Sequence, residues 1–337
     1  MKLINLLSIL IVMNLCLGCN NNDTPQESGT NGAQILLFNN YLGNSQNIHP
    51  KVLYFNNGWN GWEFWMAYTP YPKGNTNAEN PSLAVSHDGV NWTTPPGIEN
   101  PIDKTPKNGY NSDTHLIYDE KNDCLEIWWR PFDNNTKHDA VRRSISMDGK
   151  NWSEQEIIVP FHWFNESVLS PTVWIENGKY YMVYSNGSRL KLSINPTIDN
   201  PEGWSHPVVL PVDWGNLKAW HHDIIKNENG DLEMVVCAFE PGCNNNSADL
   251  YYVKVSSDFQ WATDPQLLLH RGENKSDFDY RSIYRSSLVK VDSKYYLYYS
   301  AISYNWKRSM ALIKPSSFSF QQLITNNMQI NKILNNL

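Results

Sequence analysis

Charge is scarce in this chain. Asp, Glu, Lys and Arg make up 18% of its 337 residues, 34 acidic against 27 basic, for a net charge of −7. Soluble domains carry about 25%. An acidic chain with few cations cannot displace the counterions of a phosphate backbone, so nucleic-acid binding is excluded. Cysteine is rare: there are five, and the three beyond residue 19, Cys124, Cys237 and Cys243, form no CxxC pair, which leaves a zinc framework without support. There is no GxSxG elbow and no glycine-rich phosphate loop between a strand and a helix. Beyond residue 17 no apolar run approaches a membrane span, and between 34 and 315 no apolar stripe keeps a helical period.

What is present is aromatic. Fourteen Trp and 18 Tyr contribute to an aromatic content of 13%. Such a composition can bury a sizeable core, which rules out disorder for most of the chain. It suits strands, and it suits a ligand with flat apolar faces and many hydroxyls.

The first residues read as an export signal. Lys2 precedes an apolar run over 3–17 that ends in Leu15-Cys16-Leu17-Gly18-Cys19. This resembles the bacterial lipobox, in which a small residue precedes a cysteine that becomes lipidated. The expected organisation is a lipoprotein signal peptide over 1–18, a flexible polar tether over 19–33, one domain over 34–320 and a C-terminal tail over 321–337. A lipid on Cys19 would hold the protein at the bacterial cell envelope and be its only membrane contact. Cys237 and Cys243 flank a turn and could close a hairpin disulfide in an oxidising envelope.

The domain repeats itself. An apolar strand, a turn and an aromatic-rich strand recur five times, at intervals of roughly 50–65 residues. The second strands read FWMAYTPY, LEIWWRPF, KYYMVYS, LEMVVCAF and KYYLYYSA, and Asn, Gly and Asp fill the turns between paired strands. Small antiparallel sheets at this period predict an all-β fold, a five-bladed β-propeller around a central channel. Closure requires the chain ends to meet, and residues 34–38 can add an outer strand to the last blade. Ser86-His87-Asp88-Gly89-Val90-Asn91-Trp92 and Ser146-Met147-Asp148-Gly149-Lys150-Asn151-Trp152 are two copies of one turn, similar to the sialidase Asp-box. Asp88 and Asp148 are read as structural.

The innermost strands of a propeller line its channel, so the residues that start them meet at one mouth. Aligning the five starts gives a ring of His49, Asp113, Ser170, His222 and Arg285. With this pattern the chain resembles the five-bladed glycoside hydrolases, the clan of arabinanases, xylosidases and fructosidases, over roughly residues 40–315. The resemblance implies a general base from the first blade, an orienting Asp from the second and an acidic Glu just before Pro from the third. It implies a His and an Arg near the axis from the last two. Asp113, His222 and Arg285 match. His49 stands where the base Asp belongs, and Leu169-Ser170 precede Pro171, with Glu166 the nearest carboxylate. Inverting hydrolysis needs a base and an acid about 6.5–9.5 Å apart. His49 can serve as base with help from Asp113, with Glu166, Glu79 or Asp279 as acid.

Other groups complete the expected site. Arg130, Arg143 and Arg285 could bind a carboxylate through paired donors, which fits an acidic sugar. Trp129 and the loop aromatics Trp59, Trp62, Trp65, Tyr71, Trp163, Trp220 and Tyr304 could stack on sugar rings. His221 and His222 alternate faces and cannot share one ion, so no metal or other cofactor is expected beyond an axial structural Ca²⁺. Three functions stay open for this expected monomer. It can be a glycoside hydrolase acting on a poly- or oligosaccharide, a polysaccharide lyase using His49 or Tyr284 as base on a uronate, or a non-catalytic glycan-binding lipoprotein.

Overall fold

Asn- and Gly-containing turns do set up antiparallel hairpins, and those hairpins stack into five sheets. The computed structural model describes residues 32–161, 163–242 and 247–314. The expectations for residues 1–31, Cys19 among them, for Cys243 and for the C-terminal tail fall outside that range. Strand β1 is Gln34–Leu36. The first blade holds β2 (Asn47–Trp59), β3 (Trp62–Pro70) and β4 (Ser82–Ser86). The second holds β5 (Gly109–Asp119), β6 (Cys124–Asp133), β7 (His138–Asp139), β8 (Val141–Ser146) and β9 (Glu156–Val159). The third holds β10 (Leu169–Glu176), β11 (Lys179–Ser185), β12 (Leu190–Asn195) and β13 (Val208–Val209). The fourth holds β14 (Lys218–Lys226), β15 (Leu232–Phe239), β16 (Asp249–Val255) and β17 (Gln266–Leu269). The fifth holds β18 (Ser282–Val291), β19 (Lys294–Ile302) and β20 (Arg308–Ile313). Strand β1 returns to this last blade and pairs with β20, Gln34 opposite Leu312 and Leu36 opposite Met310. The ring therefore closes as the sequence predicts.

Blades pack face to face, so both sides of a middle strand are buried. Every residue of β15 is buried, and adjacent Trp128 and Trp129 are both fully covered. Alternation sends Trp128 into the cluster shared with the third blade and Trp129 into the cluster shared with the first. Five such clusters fill the five blade interfaces, and they absorb most of the aromatic excess. The two Asp turns are alike to the atom: Asp88 Oδ1 accepts from the amides of Val90 and Asn91 at 2.8 Å, and Asp148 Oδ1 does so from Lys150 and Asn151. Gly89 has φ 72°, and a Cβ there would lie 2.5 Å from the Tyr298 hydroxyl of the neighbouring blade. That hydroxyl donates to the Gly89 carbonyl at 3.0 Å. These carboxylates are structural, as read.

Around the axis the inner strands β2, β5, β10, β14 and β18 belong to different sheets, and polar side chains join them. Lys51 Nζ lies 2.7 Å from Asp223 Oδ1, whose other oxygen accepts from the Leu288 amide at 2.9 Å. Ser300 and Ser287 hydroxyls accept from the amides of His49 and Val52 at 3.0 Å. Cys237 Sγ donates to the Ile283 carbonyl between the last two blades.

If closure rests on the apolar contacts of β1, Leu36→Ala costs about 2–5 kcal/mol, the price of a buried leucine, while Gln34→Ala is close to neutral. Urea unfolding of the two variants decides it, and equal midpoints would refute the role given to Leu36.

Candidate functional site

All five inner strands break register near the same mouth. The breaks lie between Ile48 and Lys51, Ser112 and His115, Leu169 and Thr172, Ala219 and His222, and Ile283 and Ser286. A bulge of this kind bends its strand and re-aims the extra side chains. In the first three blades the leading bulge residue is left-handed: His49 at φ 57°, Asp113 at 54° and Ser170 at 51°. Non-glycine residues held there cost of order 1–3 kcal/mol each, and the surrounding bonds sustain them. In the last two blades the inserted pairs are Trp220-His221 and Tyr284-Arg285.

These insertions converge on Asp113, which is fully buried. Its Oδ2 accepts from Arg130 Nε at 2.6 Å. Its Oδ1 lies 3.3 Å from His221 Nδ1 and 3.6 Å from His49 Nε2, and accepts from the Ser170 hydroxyl at 3.4 Å. Ser170 Oγ also meets His221 Nδ1 in a short contact. Arg130 holds Asp139 at 2.5 Å through Nη1. Thr69 Oγ1 is 3.0 Å from His49 Nδ1. Glu79 sits 3.7 Å from the same nitrogen and accepts from the Ser112 hydroxyl at 2.9 Å. Tyr284 stacks on His49 with ring centroids 5.5 Å apart and meets His221 edge-on at 4.2 Å. Above this cluster opens a cavity of about 320 Å³, with Glu79, Asp113, Arg130, Asp139 and His221 among its polar lining and Tyr71, Tyr110, Phe132, Trp220 and Tyr284 on its walls.

The cluster sorts its charges. Burial alone would raise Asp113, but Arg130 and the two histidines outweigh it and keep the carboxyl well below its usual range. Burial lowers His49 well below its ordinary value and takes His221 down to about 4, with Asp113 pulling the other way. Burial, reinforced by Asp113, pushes Glu79 up to about 8. At neutral pH the site therefore combines an ionised Asp113, neutral histidines and a mostly protonated Glu79. Burial drives the Tyr284 phenol well above its usual value, the wrong direction for a lyase base.

The structure brings together His49, Asp113, Ser170, Arg130, Glu79 and Tyr284 from the expected set, and it corrects the others. His222 lies one step inside the bulge, opposite Val236, and its Nε2 faces the Val183 carbonyl at 3.1 Å. It repeats His115, whose Nε2 faces the Val173 carbonyl at 3.0 Å. The mouth position belongs to His221. Counting strand pairs back from the Asn227–Asp231 turn was the signal that separates the two. Arg285 is fully buried below the ring, its Nη2 3.5 Å from His115 Nδ1. Arg143 lies between the second and third blades, bound to Glu126 and Glu156 at 3.1 and 2.8 Å. The three arginines expected to clamp a carboxylate thus point to three places. Trp129 is core, its Nε1 on Asp103, and Trp59 and Trp65 share that blade interface. Glu166 binds Lys191 at 2.6 Å and the Tyr184 hydroxyl at 2.6 Å. Against the effect of its burial, these partners lower its pKa, so it is not poised as an acid. Asp279 is fully buried and accepts from the Gly272 amide. His221, Tyr110, Asp139, Thr69, Ser112 and Phe132 belong to the site without having been expected there from the sequence.

One further arrangement is absent from the sequence reading: His49, Asp113 and His221 each offer a donor atom, and the three atoms lie within 4.8 Å of one another. His49 Nε2 has no hydrogen-bond partner among the described residues. His221 and His222 turn to different partners, but His221 and His49 both face Asp113 Oδ1.

No protein-family model matches the chain. Among curated proteins, it is 25% identical over 334 residues to an A type blood N-acetyl-α-D-galactosamine deacetylase of Flavonifractor plautii, an alignment covering 82% of this chain. The chain spans 42% of that protein, less than half its length. Among solved structures it resembles an N-acetylgalactosamine deacetylase from F. plautii in complex with blood group B trisaccharide, with a TM-score of 0.67 and 20% identity over 83% of this chain and 93% of that one. A thermostable family-43 glycoside hydrolase follows at a TM-score of 0.58 and 13% identity, over 81% and 90% of the two chains. An α-L-arabinanase of Cellvibrio cellulosa has a TM-score of 0.54 and 13% identity, over 80% and 92%. These likenesses establish the fold, the five-bladed propeller expected from the ring of blade starts.

Arg130→Met would leave Asp113 and Asp139 buried without their cation. Breaking such a pair costs about 3–5 kcal/mol, which urea unfolding near neutral pH will read. A loss below about 1 kcal/mol would show that this pair does not hold the site together.

Proposed function

We propose that this protein is a metal-assisted hydrolase that removes an acyl group, in the first instance an N-acetyl group, from a carbohydrate. The observation that carries the reading is the His49, Asp113 and His221 donor set, one carboxylate and two imidazoles, with His49 Nε2 unpaired. Three protein ligands with room for more are the pattern of hydrolytic metal centres. The deacetylase likeness supports the same chemistry.

The residues fit a divalent cation, with one adjustment. With Thr69 accepting from Nδ1 across their 3.0 Å contact, the tautomer that ligation would select, the His49 Nε2 lone pair is turned toward Asp113. His221 Nε2 accepts from Trp220 Nε1 at 2.6 Å, so its proton resides on Nδ1, facing Asp113. Ligation through Nδ1 requires the neutral ring to carry its proton on Nε2 instead, so the Trp220 Nε1 contact would have to shift. A cation there would supply Lewis acidity toward an acyl carbonyl and toward water. Glu79 is the group suited to move protons: with a pKa raised to about 8, its ionised form, a minor fraction at neutral pH that grows as pH rises toward 8, can take one from the attacking water and return it to the departing nitrogen. Water adds, the carbon–nitrogen bond breaks, and acetate and an amino sugar leave. Tyr71, Tyr110 and Trp220 offer faces for the pyranose ring. Glycosidic hydrolysis fits less well, because Glu166 is held ionised by Lys191. Anchoring at the envelope through Cys19 belongs to the same proposal; Cys19→Ala should move the protein from membrane to soluble fractions.

The test is acetate release from N-acetylated oligosaccharides. Activity should fall on chelation and return with added divalent metal. His49→Ala and Asp113→Asn should each reduce it by more than about 100-fold, and His49→Ala should abolish metal binding in calorimetry. New reducing ends without acetate, in the presence of chelator, would replace this reading with glycoside hydrolysis.

A further inference from the structure

One side of the mouth carries a ladder in which guanidinium groups alternate with aromatic rings. Tyr71, on the cavity wall, lies against Arg308, whose Cζ is 5.1 Å from the ring centroid. Arg308 Cζ also lies 5.6 Å from the centroid of the Trp306 ring. Trp306 in turn faces Arg281 at 4.2 Å, and Arg281 faces Tyr304 at 5.3 Å. Lys275 closes the outer end, its ammonium 4.9 Å from Tyr304. The order from the cavity outward is Tyr71, Arg308, Trp306, Arg281, Tyr304, Lys275.

Three observations point to a ligand. In a chain of net charge −7, none of Lys275, Arg281 and Arg308 forms an ion pair among the described residues, although nearby Arg271 pairs with Asp249 at 3.0 Å. Arg308 is only 6% exposed, and its Nε has no hydrogen-bond partner. Its Nη1 donates to the Trp306 carbonyl at 2.6 Å. A buried guanidinium without a counter-charge is costly. Trp306 and Tyr304 remain 40% and 39% exposed, and Trp306 is held in the left-handed region at φ 63°. A guanidinium stacked between rings spends its faces on them and keeps in-plane N–H groups for an oxyanion. On Arg281, Nε donates to the Tyr304 carbonyl at 2.8 Å, which orients the fork.

We propose that this ladder is a subsite for an anionic group, a carboxylate or a sulfate, on the glycan whose acylated residue occupies the cavity; the inference rests on the functional reading above. The exposed edges of Trp306 and Tyr304 border the sugar, and the in-plane N–H groups of Arg281 and Arg308 take its oxyanion. The acidic-sugar recognition expected of Arg130, Arg143 and Arg285 is thereby moved to different arginines on the fifth blade.

Binding is measured by calorimetry with probes that carry no acyl group: tetragalacturonate, a sulfated galactotetraose and neutral galactotetraose. At least one anionic probe should bind about tenfold more tightly than the neutral one, a difference of about 1.4 kcal/mol. Arg281→Gln should erase that preference, and Arg281→Lys should restore only part of it. A preference for one anion over the other identifies the substituent. Equal binding of all three probes, or an unchanged preference in Arg281→Gln, overturns the proposal. Since no probe can be deacetylated, this binding reads the subsite alone: an anionic preference here, together with no acetate release from N-acetylated oligosaccharides in the separate activity assay, would refute the acyl chemistry and leave the subsite standing.

Discussion

A carboxylate that stays ionised with no access to bulk water organises the mouth of this propeller. Asp113 can do so because Arg130 closes on it at 2.6 Å and three further polar groups face its other oxygen. The charge is costly to bury, and that cost turns into order: His49, Ser170 and His221 come from three other blades and are held to one another through it. Arg130 is shared with Asp139, so the site is also tied to β7, the short strand that pairs with β6 in the second blade. The same negative charge helps to push Glu79 upward. One ion pair therefore fixes both the positions and the protonation states of the groups around it.

The scaffold tolerates this because its stability lies elsewhere. Five apolar clusters between the blades, and a last blade built from both ends of the ring, allow the inner strands to break register at the mouth. Left-handed His49, Asp113 and Ser170 are the visible strain. A propeller offers the same bulge five times, and five different side chains there make one composite site. The ladder on the fifth blade extends that site outward with a second charge sign, cationic where the centre is anionic.

Much of this was legible beforehand. Turns rich in Asn and Gly, strands of period two and five repeats led to the five blades, and residues 34–38 led to closure. His49 and Asp113 were found because polar residues open otherwise apolar strands. His222 falls one residue inside the mouth because the bulge in the fourth blade shifts the alternation, and only the count of strand pairs back from the Asn227–Asp231 turn marks where. Glu166 and Arg143 looked free in the sequence, and each is taken up by a partner distant along the chain, Lys191 for one and Glu126 for the other.

The sequence by itself determined the architecture, since periodicity, turn chemistry and aromatic burial are local properties repeated at regular intervals. Only the tertiary structure decided which polar residues meet. A bulge displaces a side chain by one position and thereby sends it to the opposite face. The pKa of a buried group depends on charges contributed by other blades. The grouping of His49, Asp113 and His221, and the stacking of Arg281 and Arg308 between rings, follow from closure in space rather than from spacing along the chain.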